Sequence, residues 1–337
     1  MHTSRPPRGT APAITALLAA ILLLAVPEPA AAQWPPDTLE NLEVLPQDID
    51  TRELIGIMAG FTRALGVRCQ YCHVGEEGMP LAQFDFPSDE KETKRKARVM
   101  IRMLQHVNGD HLEELETRSD PPVEVTCATC HRGVQRPRML QDVLIEAYEE
   151  GGLDAAVTEY KALRERYYGR FAYDFGSVPL DDVARQVGQR GALGDAVALS
   201  ELNVEMNPSS VFAQRQFAGR AIEHAMIEEG ADAGAALYHD LKSELPPQAL
   251  PEIMLNSLGY RLMGTGRVEE AIAVFELNVE AYPAAFNTYD SLGEAYMTHG
   301  DTELAIRNYE KSLELNPENT NATDMLQRLR GETGGEN

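Results

Sequence analysis

The sequence predicts an all-α protein built from two unlike parts. Three observations carry that prediction. Apolar residues recur at helical rather than alternating spacing. A 34-residue period runs through the second half. All four cysteines fall in two short Cys/His motifs in the front part of the chain. At 337 residues the length suits about two domains. Hydrophobic residues at 43% and charged ones at 25% describe a chain that buries real cores, which excludes collagen-like, low-complexity and many-span membrane classes. The net charge of −23, from 53 acidic against 30 basic residues, predicts no nucleic-acid partner.

The first element is an address. Arg5 and Arg8 precede an apolar run from Ala11 to Val26, then Pro27 and the small residues Ala30, Ala31 and Ala32 before Gln33. A basic start, an apolar middle and an A-x-A site predict a secretory signal peptide over 1–32, cleaved after Ala32. The apolar run counts 16 residues, short of the about 20 that a spanning helix needs. The expected location is therefore periplasmic or otherwise exported, with membrane association as the alternative.

The cysteines stand as Cys69-Gln-Tyr-Cys72-His73 and Cys127-Ala-Thr-Cys130-His131. C-x-x-C-H is the attachment pattern of c-type haem. On a short helical turn, residues i, i+3 and i+4 share a face. Two thiols can then bond the vinyl groups of one porphyrin while the following imidazole reaches its iron. Two haem c groups at two thioethers each use all four thiols. A four-cysteine zinc site would have no use for the histidine after each pair. A thioredoxin-like redox motif would want a βαβ surround, and neither copy has one. The expected domain spans 33–138, with two covalently attached haem c groups on Cys69, Cys72, Cys127 and Cys130, and iron bound by His73 and His131.

The second axial ligand decides the chemistry. Asp50 with Glu53 resembles a capping box opening a helix. Leu54, Ile57, Met58, Phe61 and Leu65 follow at helical spacing, and Gly66 is placed to end the helix in a left-handed conformation. Gly56 and Gly60 flank Met58 although each costs about 1 kcal/mol against alanine. That cost suits the close approach of something flat and makes Met58 a candidate ligand. Ser88-Asp89-Glu90 opens a second helix that stops near Asn108-Gly109 and bears Met100 and Met103. A methionine on an amphipathic helix is by default core filler.

The segment from Asn41 to Pro137 resembles the cytochrome c subunit of photosynthetic reaction centres. The stretches that carry the likeness are LIGIMAGFTRALGVRCQYCH, ARVMIRMLQHVNG and VTCATCHRG. The resemblance implies haem units made of a methionine-bearing helix, a turn and a C-x-x-C-H helix. By position it pairs Met58 with His73 and Met100 with His131. Met103, His106 and His111 stand behind Met100, and Met79 behind Met58. Reaction-centre members carry four haems, whereas this chain has two attachment motifs. Lys91, Lys94, Arg95, Lys96, Arg98 and Arg102 crowd one helix, and Arg132, Arg136 and Arg138 follow the second motif. They are expected to neutralise haem propionates or to dock an acidic redox partner.

From Met139 onward the chain has no cysteine. Leu258-Gly259, Gly266, Ala271 and Pro283 recur as Leu292-Gly293, Gly300, Ala305 and Pro317, each offset by 34. That is the period of the tetratricopeptide repeat (TPR), which these segments resemble. ELNVE at 201–205 returns at 276–280, 211–245 is a degenerate unit, and 141–168 begins the array. TPR-like helical repeats are expected over 139–330, clearest at 255–322, with a disordered tail at 331–337. Stacked helix pairs leave a groove for a protein or peptide.

Together these expectations describe an exported two-haem electron carrier. It would pass single electrons between redox partner proteins, for instance a membrane electron-transfer complex. The alternatives are a haem peroxidase or oxidase in which one methionine is labile, and a repeat-based assembly or sensor protein.

Overall fold

The computed structural model describes His2, residues 34–36 and residues 38–333. The expected signal peptide, save His2, lies outside these residues, as does the tail beyond 333. Among the described residues every regular element is a helix, and the sole extended pairing is an isolated bridge between Val74 and Asp85. None of these helices is long and apolar enough to cross a membrane. The chain divides into two compact units, Met1–Thr62 with Arg68–Val125, and Arg63–Val67 with Thr126–Asn337.

Helix α1 covers Thr51–Leu65. Asp50 caps it: its Oδ1 accepts from the N–H groups of Arg52 at 2.8 Å and Glu53 at 3.0 Å. Gly66 follows at φ +67°, the left-handed stop expected of it. It also has a second reason to be glycine, because a Cβ there would collide with the carbonyl of Gly133. The Gly133 N–H donates to Ala64 O at 2.8 Å, closing the helix end from outside.

Helix α2 covers Glu92–His106 and begins later than the expected start at Ser88. Asp89 does not cap it. Its carboxylate pairs instead with Arg98 at 2.8 Å and Lys94 at 3.1 Å. The Lys94 ammonium meanwhile donates to the carbonyls of Phe86, Pro87 and Ser88 at 2.8–2.9 Å. Residues 86–91 are thereby folded back on the helix as a loop. At its far end α2 runs into one π-helical turn, Val107–His111, rather than stopping at Asn108-Gly109. There the Asn108 amide both donates to and accepts from the Val125 backbone at 2.8 Å. Helix α3 is the short turn Cys127–His131.

The second unit continues with α4 (Leu140–Tyr167), α5 (Ser177–Gln189), α6 (Leu193–Met206), α7 (Val211–Glu228), α8 (Ala231–Glu244), α9 (Glu252–Gly264), α10 (Val268–Ala281), α11 (Phe286–His299), α12 (Thr302–Leu315) and α13 (Thr320–Thr333). Helix α4 breaks at Gly151 and Gly152, the latter at φ +71°, and so forms a first hairpin by itself. Four hairpins follow, α5/α6 to α11/α12, and α13 runs into the segment expected to be disordered.

One packing device recurs: a small residue and, four positions on, a large one, both buried. The pairs are Ala156/Tyr160, Gly234/Tyr238, Ala271/Phe275 and Ala305/Tyr309. A Cβ on Gly259 would meet the Phe275 ring at 2.5 Å, so the ring packs directly on the backbone of its partner helix. At the fifth position Ser200 replaces the aromatic, and Arg220 fills in. It donates to Ser200 Oγ at 2.9 Å and to Asp181 at 2.6 Å. The degenerate unit proves to be the α7/α8 hairpin, made irregular by its longer first helix and the 3-10 turn Pro247–Ala249 that follows it.

Candidate cofactor-attachment sites

The two Cys/His motifs fold alike. Each begins after an extended residue, Arg68 (φ −114°, ψ 172°) and Thr126 (φ −121°, ψ 170°), and then turns at once into a short helix. In the first, the N–H groups of Cys72 and His73 both donate to Cys69 O, at 3.2 and 3.0 Å. In the second, Thr129 Oγ1 accepts from the Thr126 N–H at 3.0 Å and fixes the turn's start. No two of the four cysteines are joined. Burial pushes the Cys72 thiol up against the smaller opposing pull of Thr93 and Lys91, and burial likewise raises Cys127.

Both histidines are held in the same way. His73 Nδ1 lies 3.2 Å from Phe86 O, and His131 Nδ1 lies 2.9 Å from Val134 O. A ring nitrogen that donates to a carbonyl leaves the other, Nε2, with its lone pair free, the arrangement by which proteins orient a metal-binding imidazole. His73 also stands edge-on to the Phe86 ring, centroids 4.9 Å apart, and Phe86 stacks on Trp34 and Phe84. Burial pushes its pKa down against the opposing pull of the Phe86 carbonyl, and Lys94, Arg98 and Lys91 push it down further. Each of these downward pushes favours the neutral imidazole that a metal ligand needs.

Met58 is half-buried on α1, and a Cβ on Gly56 or Gly60 would meet nothing within 4 Å. The two glycines lie one turn apart on one open face of α1, and Met58, two positions from each, lies on the opposite face. Met100 and Met103 are 44% and 45% exposed, so neither fills a core. His106 lies 2.6 Å from Asp110 on the surface, and His111 is exposed in the π-helical turn. Met79 is half-buried in a turn, its N–H on Glu76 O at 3.2 Å.

The basic helix also has a use inside its own unit. Lys91 donates to Gln70 O, and Arg95 to Asp89 O and Glu90 O. Arg98, itself buried, pairs with Asp89 and Glu43 and donates to Asn41 O at 3.1 Å. Arg98 first, then Asn41, holds the Asp89 carboxyl well below the usual carboxylate range. Lys96 pairs with Glu92 in the open. Most of these cations therefore organise the 86–91 loop, which carries the Phe86 carbonyl that orients His73. That carbonyl lies too far along the chain for spacing to have revealed it.

The first unit has a further property that bears on a cofactor. Ile49 is the one buried apolar side chain among its described residues. Side chains alone therefore give this unit almost no core, and a large flat apolar group would supply one. Free Nε2 atoms, paired thiols and the near absence of a core among the described residues all fit haem.

These features define a class, a cytochrome c-type domain followed by a helical repeat domain. Residues 19–183 match the family described as photosynthetic reaction centre cytochrome C subunit, and 286–319 match the tetratricopeptide repeat. The front of the chain is thus similar to the reaction centre cytochrome C subunit, a family that implies haem c, and the rest is built of tetratricopeptide-like repeats. The human Superkiller complex protein 3 is 26% identical over 168 residues, which is 48% of this chain and 10% of that protein. The chain spans about a tenth of that relative's length. Among solved structures, the first TPR of Spaghetti (RPAP3) bound to an HSP90 peptide aligns over 47% of this chain and 94% of its own (16% identity, TM-score 0.24). A MamA protein aligns over 54% and 92% (17% identity, TM-score 0.30). At such scores the overlays carry no weight beside the repeat match and the helix pairs.

Proposed function

We propose that this chain is an exported electron carrier with two covalently attached haem c groups, and that its repeats hold it to a protein partner. The observation that carries the reading is the shared treatment of His73 and His131: each commits Nδ1 to a backbone carbonyl and keeps Nε2 for a metal. When bound, haem c supplies reversible one-electron exchange. The chain does the rest. Cys69, Cys72, Cys127 and Cys130 would tether the haems, and His73 and His131 would each bind an iron. Met58 and Met100 would supply the second ligands, with Met103 behind Met100. Imidazole with thioether raises a reduction potential relative to a second nitrogen donor and leaves no open position, which favours carrying electrons over binding oxygen. The segment 1–32 takes the chain to the compartment where attachment occurs. The stacked hairpins offer a groove for a protein or peptide.

A pyridine haemochrome spectrum with an intact mass tests this reading. The expected result is two haems per chain and a polypeptide starting at Gln33; colourless, fully exported protein would overturn it. Met58→Ala should remove roughly half of the weak near-infrared sulfur-to-iron band of the oxidised protein, since one of two such ligands is lost. Rapid, complete carbon monoxide binding at one site of the reduced wild type would instead make the chain a ligand-binding enzyme of the peroxidase type.

A further inference from the structure

The two attachment motifs share a backbone but differ in what else touches the carbonyl that orients each histidine. At the second site the arrangement is local. Val134 N–H donates to His131 O at 2.9 Å, and His131 Nδ1–H donates to Val134 O at 2.9 Å. At the first site the carbonyl comes from the separate 86–91 loop and serves two donors, His73 Nδ1 at 3.2 Å and Lys94 Nζ at 2.8 Å. The Lys94 side chain is only 11% exposed. Its ammonium is pinned by Pro87 O and Ser88 O at 2.9 Å and by Asp89 at 3.1 Å. It is a fixed charge, not a mobile surface lysine.

We propose that Lys94 sets the two haem sites apart, raising the reduction potential of the first above that of the second by sharing the Phe86 carbonyl with His73. This rests on the reading of His73 and His131 as iron ligands. Two effects act with the same sign. A carbonyl that already accepts from an ammonium is a poorer acceptor for a second donor, and the longer bond to His73 agrees with that. The Nδ1–H of His73 is then less drawn out, so Nε2 gives less charge to the metal and stabilises the oxidised state less. Separately, a fixed positive charge favours the state with one positive charge fewer. The charged groups that act on the His73 ring are Lys94, Arg98 and Lys91, all of them positive, with Lys94 foremost. The step is addition of one electron supplied by a redox partner protein. No bond forms or breaks, and Lys94 keeps its proton in both states. An electron arriving on the molecule would therefore settle at the first site.

The test is a spectroelectrochemical titration of the full-length exported holoprotein. Wild type should show two midpoints. Lys94→Met should lower the higher one, reducing the inter-site equilibrium constant at least tenfold, which is 59 mV for a one-electron couple, and should leave the other in place. A C69A/C72A variant, which lacks the first site, should retain only the midpoint that Lys94→Met does not move. Lys96→Met removes the same charge from the same helix without touching a carbonyl, and should move neither. If Lys94→Met does not mature, Lys94→Gln keeps an uncharged donor for the carbonyls and should produce a smaller shift of the same midpoint. Equal shifts of both midpoints, no shift, or the same shift from Lys96→Met would overturn the proposal. Haem content measured on each sample separates the outcomes. Two haems with unmoved potentials defeats this inference and spares the carrier, whereas no haem defeats both.

Discussion

Gly66 shows how much one residue can be asked to do. It holds φ +67° at the end of α1, and its missing side chain makes room for the Gly133 carbonyl next to the second attachment motif. An alanine there would suffer both the left-handed backbone and a collision with main chain, which cannot rotate away. Gly66→Ala should destabilise the protein by roughly 1–3 kcal/mol, the range for a non-glycine residue held in that conformation, or more if the collision persists. Gly78, also at positive φ (+83°) but with open space around it, should lose only the conformational part when changed to alanine. Thermal melts of the two variants would show it, and equal losses would remove the packing role of Gly66. The left-handed stop was legible from sequence because it follows from a helix ending in Leu-Gly. The contact with Gly133 was not, because 67 positions separate the two glycines. The same division runs through the sites: C-x-x-C-H is a local pattern and is readable, whereas Phe86 and Lys94 meet His73 through the fold.

At the scale of the element, the hairpins repeat a second device with an instructive failure. Asn203 on α6 is buried, donates to Ser177 O at 2.8 Å at the start of its partner α5, and accepts from Asn207 at 3.0 Å. Ser312 on α12 similarly donates to Phe286 O at 2.9 Å. Asn278, the same position within the repeated ELNVE, is fully buried with neither amide atom partnered. Where α6 is followed by Asn207, α10 is followed by Tyr282, whose hydroxyl donates instead to Leu250 O at 2.6 Å. A buried amide with its partners adds about 1 kcal/mol, and one without them costs about 1–3 kcal/mol. Asn203→Ala should therefore lower the urea midpoint of the helical signal, while Asn278→Ala leaves it unchanged or raises it. Equal losses would mean that Asn278 is satisfied in solution, by water for instance. The repeat identity at 201–205 and 276–280 was plain in the sequence. The different fate of its central asparagine was not, because neighbours outside the repeat decide it.

At the scale of the molecule the two units are held by different means. The second has continuous apolar cores, with Leu144, Tyr160 and Leu180 in one, Ile222, Tyr238 and Phe275 in the next, and Tyr309 and Leu326 in the last. Such a stack is stabilised by burial between neighbouring hairpins and needs no cofactor. Among its described residues the first unit buries only Ile49 and the side chain of Arg98. Ion pairs such as Arg98 with Asp89 and Glu43 cannot replace a core, since the cost of burying the guanidinium offsets its attraction to a partly exposed carboxylate. If its cysteines carry haem as proposed, its order should depend on those groups, and the two units should differ in stability once the cysteines are removed. Replacing Cys69, Cys72, Cys127 and Cys130 by alanine should leave a cooperative thermal transition carried by α4–α13. Backbone amides in α2 and the 86–91 loop should meanwhile exchange with solvent near the rate of an unfolded chain. Hydrogen exchange read by mass spectrometry would resolve the two regions in one sample. Slow exchange of α2 in the cysteine-free protein would show that loop contacts such as those of Lys94 hold this unit unaided. Loss of the helical transition as well would show that the repeats lean on the haem sites for their own stability, contrary to what their cores imply.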